Sequence, residues 1–373
     1  MEDNNSKNWI GQLIEPAGIT LNGNKPWDIK VTNPKLYDRI KAEGSLGLGE
    51  AYMDGWWDCE NLDQLFHRIL SSHIEDRIGL SLPIILELAK AKLFNLQSLR
   101  RAFQVGEKHY NLGNDLFVAM LGKNMTYSCG YWKDVNTLDL AQEAKLDLIC
   151  RKLDLKSGQR ILDIGSGWGS FAKHAAKNYG VEVVGITVSK EQAGFAKEFC
   201  KGLPVEFRLQ DYRELNEKFD HVVSIGMIEH VGVKNYSTYM HIAKRCLKDN
   251  GLFLLHTIGG LKSGITTDPW INKYIFPNGM IPSLKQISQS VEGLFVIEDV
   301  HNFGSYYDNT LMAWHKNFEN SWMDLKNNYN ETFHRMWRYY LLSCAGAFRA
   351  RSLQLWQIVL SPNGVFKGYK TIR

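Results

Sequence analysis

The second half of the chain alternates short apolar runs with amphipathic stretches. The apolar runs, which are rich in β-branched residues, cover 159–165, 181–189, 219–227 and 251–259. Apolar positions recur at helical spacing in the stretches between them, 170–180, 190–203 and 236–248. Such alternation is typical of βαβ units and predicts a parallel sheet buried between helices on both faces. Ligands of these sheets bind beyond the carboxyl ends of the strands, so the chemistry is expected there.

The first 75 residues lack this alternation. They mix short elements with turn signals, such as NGNKP at 22–26 and DGWWD at 54–58. A length of 373 residues also suits two domains. We therefore expect a smaller N-terminal domain, residues 1–95, and a larger domain with the sheet, residues 96–373, joined by a linker at about residues 90–110.

A largely apolar segment, residues 78–94, lies close to this boundary. Its pattern fits an amphipathic helix that starts near Pro83. The helix either packs on its own core or touches lipid. Arg100, Arg101 and Lys108 follow it, and these cations suit either an anionic membrane surface or an ordinary solvated face.

Composition narrows the function classes. A net charge of +4 is too small to imply nucleic acid, whereas 11 Trp residues hint at a bulky apolar ligand. The spacing of the six cysteines disfavours a zinc ribbon or a redox CxxC, so we expect free thiols in a reducing cytoplasm and no metal. The N-terminus lacks the apolar core of a signal peptide, and no apolar run reaches the roughly 18 residues that span a membrane.

A glycine-rich loop, DIGSGWGS at 163–170, follows the first predicted strand and precedes a helix. Glycines allow a tight turn close to a ligand, and the helix N-terminus accepts polar groups. The G-x-G-x-G spacing differs from the dinucleotide G-x-G-x-x-G, and no acid ends the second strand about 20 residues on. The loop therefore resembles that of the class I S-adenosylmethionine-dependent methyltransferases more than an NAD site, with a plain structural turn as the remaining alternative.

Further motifs resemble the cyclopropane-fatty-acyl-phospholipid synthase family within that superfamily. They are EKHYNLGNDLF (107–117), TYSCGYW (126–132), QDYREL (210–215), GMIEHVG (226–232), DPWINKYIFPNG (268–279), CAGAFRAR (344–351) and, in the N-terminal domain, SLGLGEAYMDGWWDC (45–59). The resemblance runs from about residue 10 to residue 360. Ser166 and Ser170 stand where the family has Cys and Gly, and both are small enough to keep the backbone role.

The resemblance implies a Rossmann-like α/β methyltransferase sheet and a lipid-engaging N-terminal domain. It implies that the methyl carbon of S-adenosylmethionine is added to a cis double bond of a phospholipid acyl chain. A carbocation then loses a proton to enzyme-bound bicarbonate, and a cyclopropane ring closes. The implied partners are the phospholipid bilayer, at the inner face of the membrane, and a second copy of the chain; an alternative is another lipid or small-molecule methyltransferase.

The donor-site residues implied by the family motifs lie at several strand ends. They are Tyr127, Ser128, Asp163, Gly165, Ser166, Gly167, Gly169, Thr187, Gln192, Asp211 and Tyr212. The TVSKEQ segment has a second interpretation, because Ser189 with Gln192 three residues on is also a helix N-cap pattern, and both roles are compatible.

The resemblance also implies a bicarbonate site. Its members are Cys129, Glu229, His256, the Ile258 backbone and Tyr307. Independently, Glu229 follows the predicted strand at 219–227, and His256 ends the next predicted strand. A parallel sheet therefore brings them together. The anion is tolerated beside Glu229 if His256 is cationic or if Glu229 accepts the ion's own hydrogen. His230, next to Glu229, has no role that we assign.

Other candidates have weaker support from the sequence. Cys344 matches a family cysteine discussed as catalytic, but ring closure needs no covalent intermediate. Arg349 and Arg351 fit either a phosphate contact or salt bridges. Aromatic rings that stabilise a buried cation are expected among Trp132, Tyr236, Phe303, Tyr307 and Trp314, with ordinary core packing as the alternative.

Overall fold

The computed structural model describes residues 2–74 and 113–373, which form two compact units. The first unit contains the described residues up to 74 together with 265–277 and 307–353. The second contains the described residues 113–264, 278–306 and 354–373. The described residues do not include the predicted segment 78–94, the predicted linker or the cations Arg100, Arg101 and Lys108. The domain boundary therefore stays a prediction.

The described elements are numbered in chain order. The helices are α1 Glu2–Ile14, α2 Leu36–Glu43, α3 Ser45–Met53, α4 Leu62–Ser71, α5 Asn114–Leu121, α6 Leu138–Lys152, α7 Ser170–Tyr179, α8 Lys190–Phe199, α9 Tyr236–Cys246, α10 Pro269–Tyr274, α11 Leu284–Val291, α12 Tyr306–Leu325 and α13 Glu331–Arg349. The strands are β1 Lys30–Val31, β2 Trp57–Asp58, β3 Arg160–Ile164, β4 Glu182–Thr187, β5 Val205–Leu209, β6 His221–Ile225, β7 Phe253–Gly260, β8 Val296–Asn302 and β9 Leu353–Ser361.

A seven-stranded sheet organises the second unit, with strand order β5-β4-β3-β6-β7-β9-β8. The five strands from β5 to β7 pair in parallel, whereas β8 and β9 pair antiparallel. The order reverses at β3, because the chain continues from β3 to β4 and β5 on one side and then returns to β6 on the other side. The predicted parallel strands and their helices are confirmed, and the antiparallel pair at one edge is an addition that the pattern did not show.

Two apolar clusters cover the two faces of this sheet. Successive strand residues point to opposite faces, so Val222 packs with α9 and α11, whereas Val223 packs with α6 and α7. Phe253 and Leu254 divide in the same way. Helices therefore flank both faces, which explains why the central strands β3 and β6 are buried at nearly every position.

The first unit is built around aromatic side chains and a close helix pair. Trp270 of α10 and Tyr339 of α13 have ring centroids 4.5 Å apart, and Tyr52 and Trp57 pack beside them. Helix α13 crosses α4 at Gly346, where an added Cβ would lie 2.7 Å from the Asp63 carbonyl oxygen. None of the described helices is long and apolar enough to cross a membrane. No disulfide joins the six cysteines, all of which lie in described residues.

Gly259→Ala tests the packing of β7 against β9. An added Cβ at Gly259 would lie 2.0 Å from an indole carbon of Trp356, so the ring must shift. We expect the free energy of unfolding to fall by about 1–3 kcal/mol in urea titrations. Gly194→Ala is the matched control, because its Cβ meets nothing within 4 Å and a helical alanine is favoured by about 0.5–1 kcal/mol. Equal stability changes in the two variants would contradict this packing.

Candidate active site

The glycine loop lies at the carboxyl end of β3, where the strand order reverses. Gly165, Gly167 and Gly169 all have positive φ. At Gly169 an added Cβ would lie 2.7 Å from the ring of Phe207, so only glycine allows this approach. At Gly167 an added Cβ would meet no atom within 4 Å, so the space beside that residue is open. The N–H groups of Gly165 and Ser166 both donate to the Ile186 carbonyl, at 3.0 and 2.9 Å, which fixes the loop against β4. The loop can therefore present its backbone to a ligand.

The segment with Tyr127 and Ser128 lies against this loop. The Tyr127 ring centroid is 6.4 Å from that of Trp168 and 5.4 Å from that of Phe117. The Ser170 hydroxyl donates to the Met125 carbonyl at 2.8 Å. The structure thus brings together two predicted parts of the donor site.

Thr187 and Gln192 meet at the end of β4. The Thr187 hydroxyl donates to Gln192 Oε1 at 2.9 Å. Ser189 caps α8, since its Oγ accepts from the Gln192 backbone N–H at 3.3 Å. The N-cap interpretation of TVSKEQ is confirmed, and the predicted donor contacts of Thr187 and Gln192 stay predictions.

Asp211 and Tyr212 follow β5, and both are buried. Asp211 accepts from the Arg213 backbone N–H at 2.9 Å and lies 3.6 Å from the Arg213 side chain. The Tyr212 ring packs on Tyr239 with centroids 5.1 Å apart, within the apolar cluster of that face. The structure therefore gives Tyr212 a packing role, while its predicted adenine contact stays a prediction.

Glu229 lies in a single 3₁₀ turn, Ile228–His230, directly after β6. Its Oε1 accepts from the Ile258 backbone N–H at 2.7 Å, which joins two of the predicted anion-site members. Its Oε2 is buried and has no hydrogen-bond partner among the described residues. Burial raises the pKa of Glu229 to about 7, and the bond from Ile258 only partly opposes this. The Tyr236 hydroxyl, within electrostatic reach of Glu229, is likewise buried without a partner in the described chain.

His256 lies in the middle of β7, so the prediction that it ends the strand is wrong: β7 extends to Gly260. It still reaches the carboxyl edge, because its register partner is Ile225, the last residue of β6. The Gln357 amide nitrogen lies 3.3 Å from His256 Nδ1, and in the tautomer in which Nδ1 accepts from it the ring proton is on Nε2. Nε2 is buried and finds no partner in the described part of the chain. Burial, with the charges of Lys145 and Lys152, holds the pKa of His256 well below its usual range, so the ring is neutral.

Cys129 is fully buried in the segment that carries Ser128. Its Sγ lies 3.2 Å from the Gly130 carbonyl oxygen and within electrostatic reach of the Lys145 ammonium. The same ammonium acts on His256. Lys145 is thus common to the surroundings of the donor segment and of His256.

Several predicted residues, among them Tyr307, Cys344 and Arg349, belong to the first unit. Tyr307 is buried, with its ring stacked on Phe348 at 4.4 Å, and its predicted role toward the anion stays a prediction. Desolvation raises the pKa of Cys344 to about 12, which argues against a thiolate nucleophile. Arg349 binds Asp308 with two bonds of 2.8 and 2.9 Å and Asp63 with one of 2.6 Å, so its salt-bridge interpretation is confirmed.

The predicted aromatic residues also divide between the units. Phe303 has its ring centroid 5.9 Å from that of His256 and 5.3 Å from that of Tyr131. Tyr236 is buried beside Glu229 in the second unit, whereas Trp314 packs edge-on against Tyr307 in the first, with centroids 6.0 Å apart. Phe303 and Tyr236 are therefore the rings that the second unit places next to the predicted catalytic groups.

Three buried polar residues of the site were not predicted. Gln357 orients His256 from β9, and Gln142 and Lys145 both bind Ser128 from α6. The available signal was a polar side chain inside an apolar run: glutamine within the strand LQLWQIVL, and glutamine and lysine on the buried face of a helix.

Fold and site together define a class I S-adenosylmethionine-dependent methyltransferase. The family model described as mycolic acid cyclopropane synthetase matches residues 97–358, which is more than half of the chain. Cyclopropane-fatty-acyl-phospholipid synthase of Escherichia coli K12 is 55% identical over 369 residues, covering 98% of this chain and 96% of that protein. The chain therefore belongs to the mycolic acid cyclopropane synthetase family.

Two further relatives place the chain within this family. A probable fatty acid methyltransferase of Pseudomonas putida is 39% identical over 355 residues, covering 89% of this chain and 86% of that protein. The crystal structure of the mycolic acid cyclopropane synthase CmaA1, complexed with SAH and CTAB, matches with a TM-score of 0.64 at 32% identity, over 69% of this chain and 97% of that one.

Glu229→Gln tests the desolvation of the carboxyl group. The Glu229 carboxyl group has a pKa of about 7 in the folded protein, against an ordinary 4.5 in the unfolded chain. At pH values between these two, the folded protein therefore binds more protons than the unfolded chain. The stability of the wild type relative to the variant should therefore fall as the pH rises from about 4.5 to about 7, by about 3 kcal/mol in all. Urea unfolding of both proteins across this range measures the difference, and a difference that does not vary with pH would rule out the raised pKa.

Proposed function

We propose that the protein transfers the methyl carbon of S-adenosylmethionine to the cis double bond of an unsaturated phospholipid acyl chain and closes a cyclopropane ring. The reaction takes place at the surface of a phospholipid bilayer, with bicarbonate bound in the active site. The observation that supports this most is that Glu229 and His256 are both buried and that one polar atom of each, Oε2 and Nε2, has no partner among the described residues.

The methyl donor fits the glycine loop. SAH is S-adenosylhomocysteine, the part of the donor that remains after methyl transfer, and it is bound in the related CmaA1 structure. The open position above Gly167 and the adjacent Tyr127–Ser128 segment provide a backbone edge and polar groups for the donor. The alkene π electrons attack the methyl carbon, and the sulfonium leaves as a neutral thioether.

The carbocation that forms must lose one proton, and the residues around Glu229 and His256 suit a bound bicarbonate ion. Neutral His256 offers its Nε2–H as a donor, and Glu229 offers Oε2 as an acceptor for the hydrogen that the ion carries. Of the two arrangements open from the sequence, the low pKa of His256 favours the one in which Glu229 accepts the ion's hydrogen. Bicarbonate supplies a weak base when bound.

The remaining groups of the second unit protect the cation. Phe303 presents an aromatic ring next to His256, and such rings stabilise a buried cation by roughly 0.5–2 kcal/mol. Glu229 is held by the Ile258 N–H and is hindered by that bond from adding to the cation itself. The chain thus positions a neutral histidine and a restrained carboxyl group around the reacting carbon atoms.

A vesicle assay tests the reaction. Purified protein with S-adenosylmethionine should convert vesicles of cis-monounsaturated phospholipid to a product heavier by one methylene. Its proton NMR spectrum should show the upfield ring protons of a cyclopropane. A mass gain without ring protons would indicate methyl-branched products, as a fatty acid methyltransferase would make. No mass gain, with donor binding confirmed by calorimetry, would refute both functions, and methylation of soluble amines instead would assign the chain to a small-molecule methyltransferase.

Glu229→Gln and His256→Ala test the two groups directly. Each variant should bind S-adenosylhomocysteine like the wild type but turn over about 10²-fold more slowly or worse, because each removes a group that places the base. His230→Asn is the control, since His230 follows Glu229 in the chain, is only half-buried and has no assigned role, and it should keep most of the turnover. Wild-type turnover in either test variant, with and without added bicarbonate, would exclude this role.

A further inference from the structure

Lys145 is a buried charged residue that the proposed reaction does not use. It lies on α6 and is fully buried, as is Gln142 three residues earlier on the same face of the helix. A buried ammonium group is costly unless it is paired and hydrogen-bonded. Leucine or methionine would fill the same space without that cost, so packing alone does not explain a lysine at this position.

Both α6 side chains bind the same residue. The Gln142 amide donates to the Ser128 carbonyl at 2.7 Å, and the Lys145 ammonium donates to the Ser128 hydroxyl at 2.9 Å. This is the only hydrogen bond of the ammonium within the described residues. The rest of the segment is also fixed to α6, since the Tyr131 N–H donates to the Ala141 carbonyl at 2.8 Å.

The direction of these bonds determines what the hydroxyl of Ser128 can do. In its charged form the Lys145 nitrogen can only donate, so Ser128 Oγ accepts from it and the single proton of the hydroxyl must point elsewhere. Ser128 adjoins Tyr127, which packs on the glycine loop, and Asp163 at the end of β3 interacts electrostatically with Lys145. The direction left for the Ser128 hydroxyl proton therefore lies in the region of the glycine loop, which is the proposed donor site.

We infer that Lys145 is a positioning residue of the methyl-donor site. With Gln142 it holds Ser128 so that the serine hydroxyl donates its proton to an acceptor oxygen of the bound donor. This inference rests on the proposed function for the identity of the ligand. Burial lowers the pKa of Lys145 to about 7, so the ammonium that donates to Ser128 is the form present below that pH.

The test is calorimetric titration of S-adenosylhomocysteine into the wild type, Lys145→Met, Ser128→Ala and the double variant. Lys145→Met should bind about 10- to 100-fold more weakly, the loss expected for a hydrogen bond to a charged group. The double variant should bind no more weakly than Ser128→Ala, because Lys145 acts through that hydroxyl. In the vesicle assay Lys145→Met should raise KM for S-adenosylmethionine and leave kcat nearly unchanged.

Lys152→Met is the matched control. Lys152 is equally buried at the end of the same helix, but its ammonium lies 3.6 Å from Asp299 and 3.2 Å from His301 rather than near Ser128. It should bind S-adenosylhomocysteine with wild-type affinity. Equal affinity losses in Lys145→Met and Lys152→Met would show a general effect of removing a buried charge and would overturn the inference.

Two further outcomes would also overturn it: wild-type affinity in Lys145→Met, or additive losses in the double variant. If Lys145→Met does not fold, Gln142→Leu removes the other bond to residue 128, and wild-type affinity in that variant counts against the inference. The result is separable from the proposed function. A wild type that binds S-adenosylhomocysteine but forms no ring product contradicts the function and leaves the role of Lys145 intact.

Discussion

Desolvation of polar groups at the carboxyl edge of the sheet is the constraint on which the rest of the site depends. Lys145, Asp163, Glu229 and His256 are all buried there, and burial shifts each pKa toward the neutral form of the group. A site with these properties offers hydrogen bonds and few strong nucleophiles. That combination suits chemistry in which a carbocation must survive until it loses a proton.

The sheet makes this burial possible. Parallel strands bring Glu229, after β6, beside the Ile258 N–H of β7, and helices pack on both faces of the sheet. The antiparallel strand β9 supplies Gln357, whose amide nitrogen lies 3.3 Å from His256 Nδ1. An added Cβ at Gly167, in the loop after β3, would meet no atom within 4 Å, so the backbone there is open. The fold therefore places the glycine loop and the contact between Glu229 and Ile258 at the same edge of the sheet.

Much of the fold and of the site was predictable, because both follow local patterns. Alternating apolar runs identified the parallel strands, and the loop at 163–170 and the cap at Ser189 carry their geometry in a few residues. The antiparallel edge was not predictable in this way, since β9 is separated from its partner β8 by the two helices α12 and α13. Lys145, Gln142 and Gln357 were missed because a polar residue within an apolar run has meaning only through contacts distant in sequence. No local pattern in the sequence showed that the first unit includes residues 265–277 and 307–353 from later in the chain.

The ionisation state of His256 tests the role of desolvation most directly. Nitrogen-15 NMR of histidine-labelled protein resolves the tautomer and charge of each of the 11 imidazoles, and the signal missing from His256→Ala assigns this one. We expect a neutral ring protonated on Nε2 that stays neutral as the pH is lowered through 6.5, the usual pKa of histidine. An imidazolium at neutral pH, or a ring protonated on Nδ1, would contradict a desolvated site that donates from Nε2 to a bound anion.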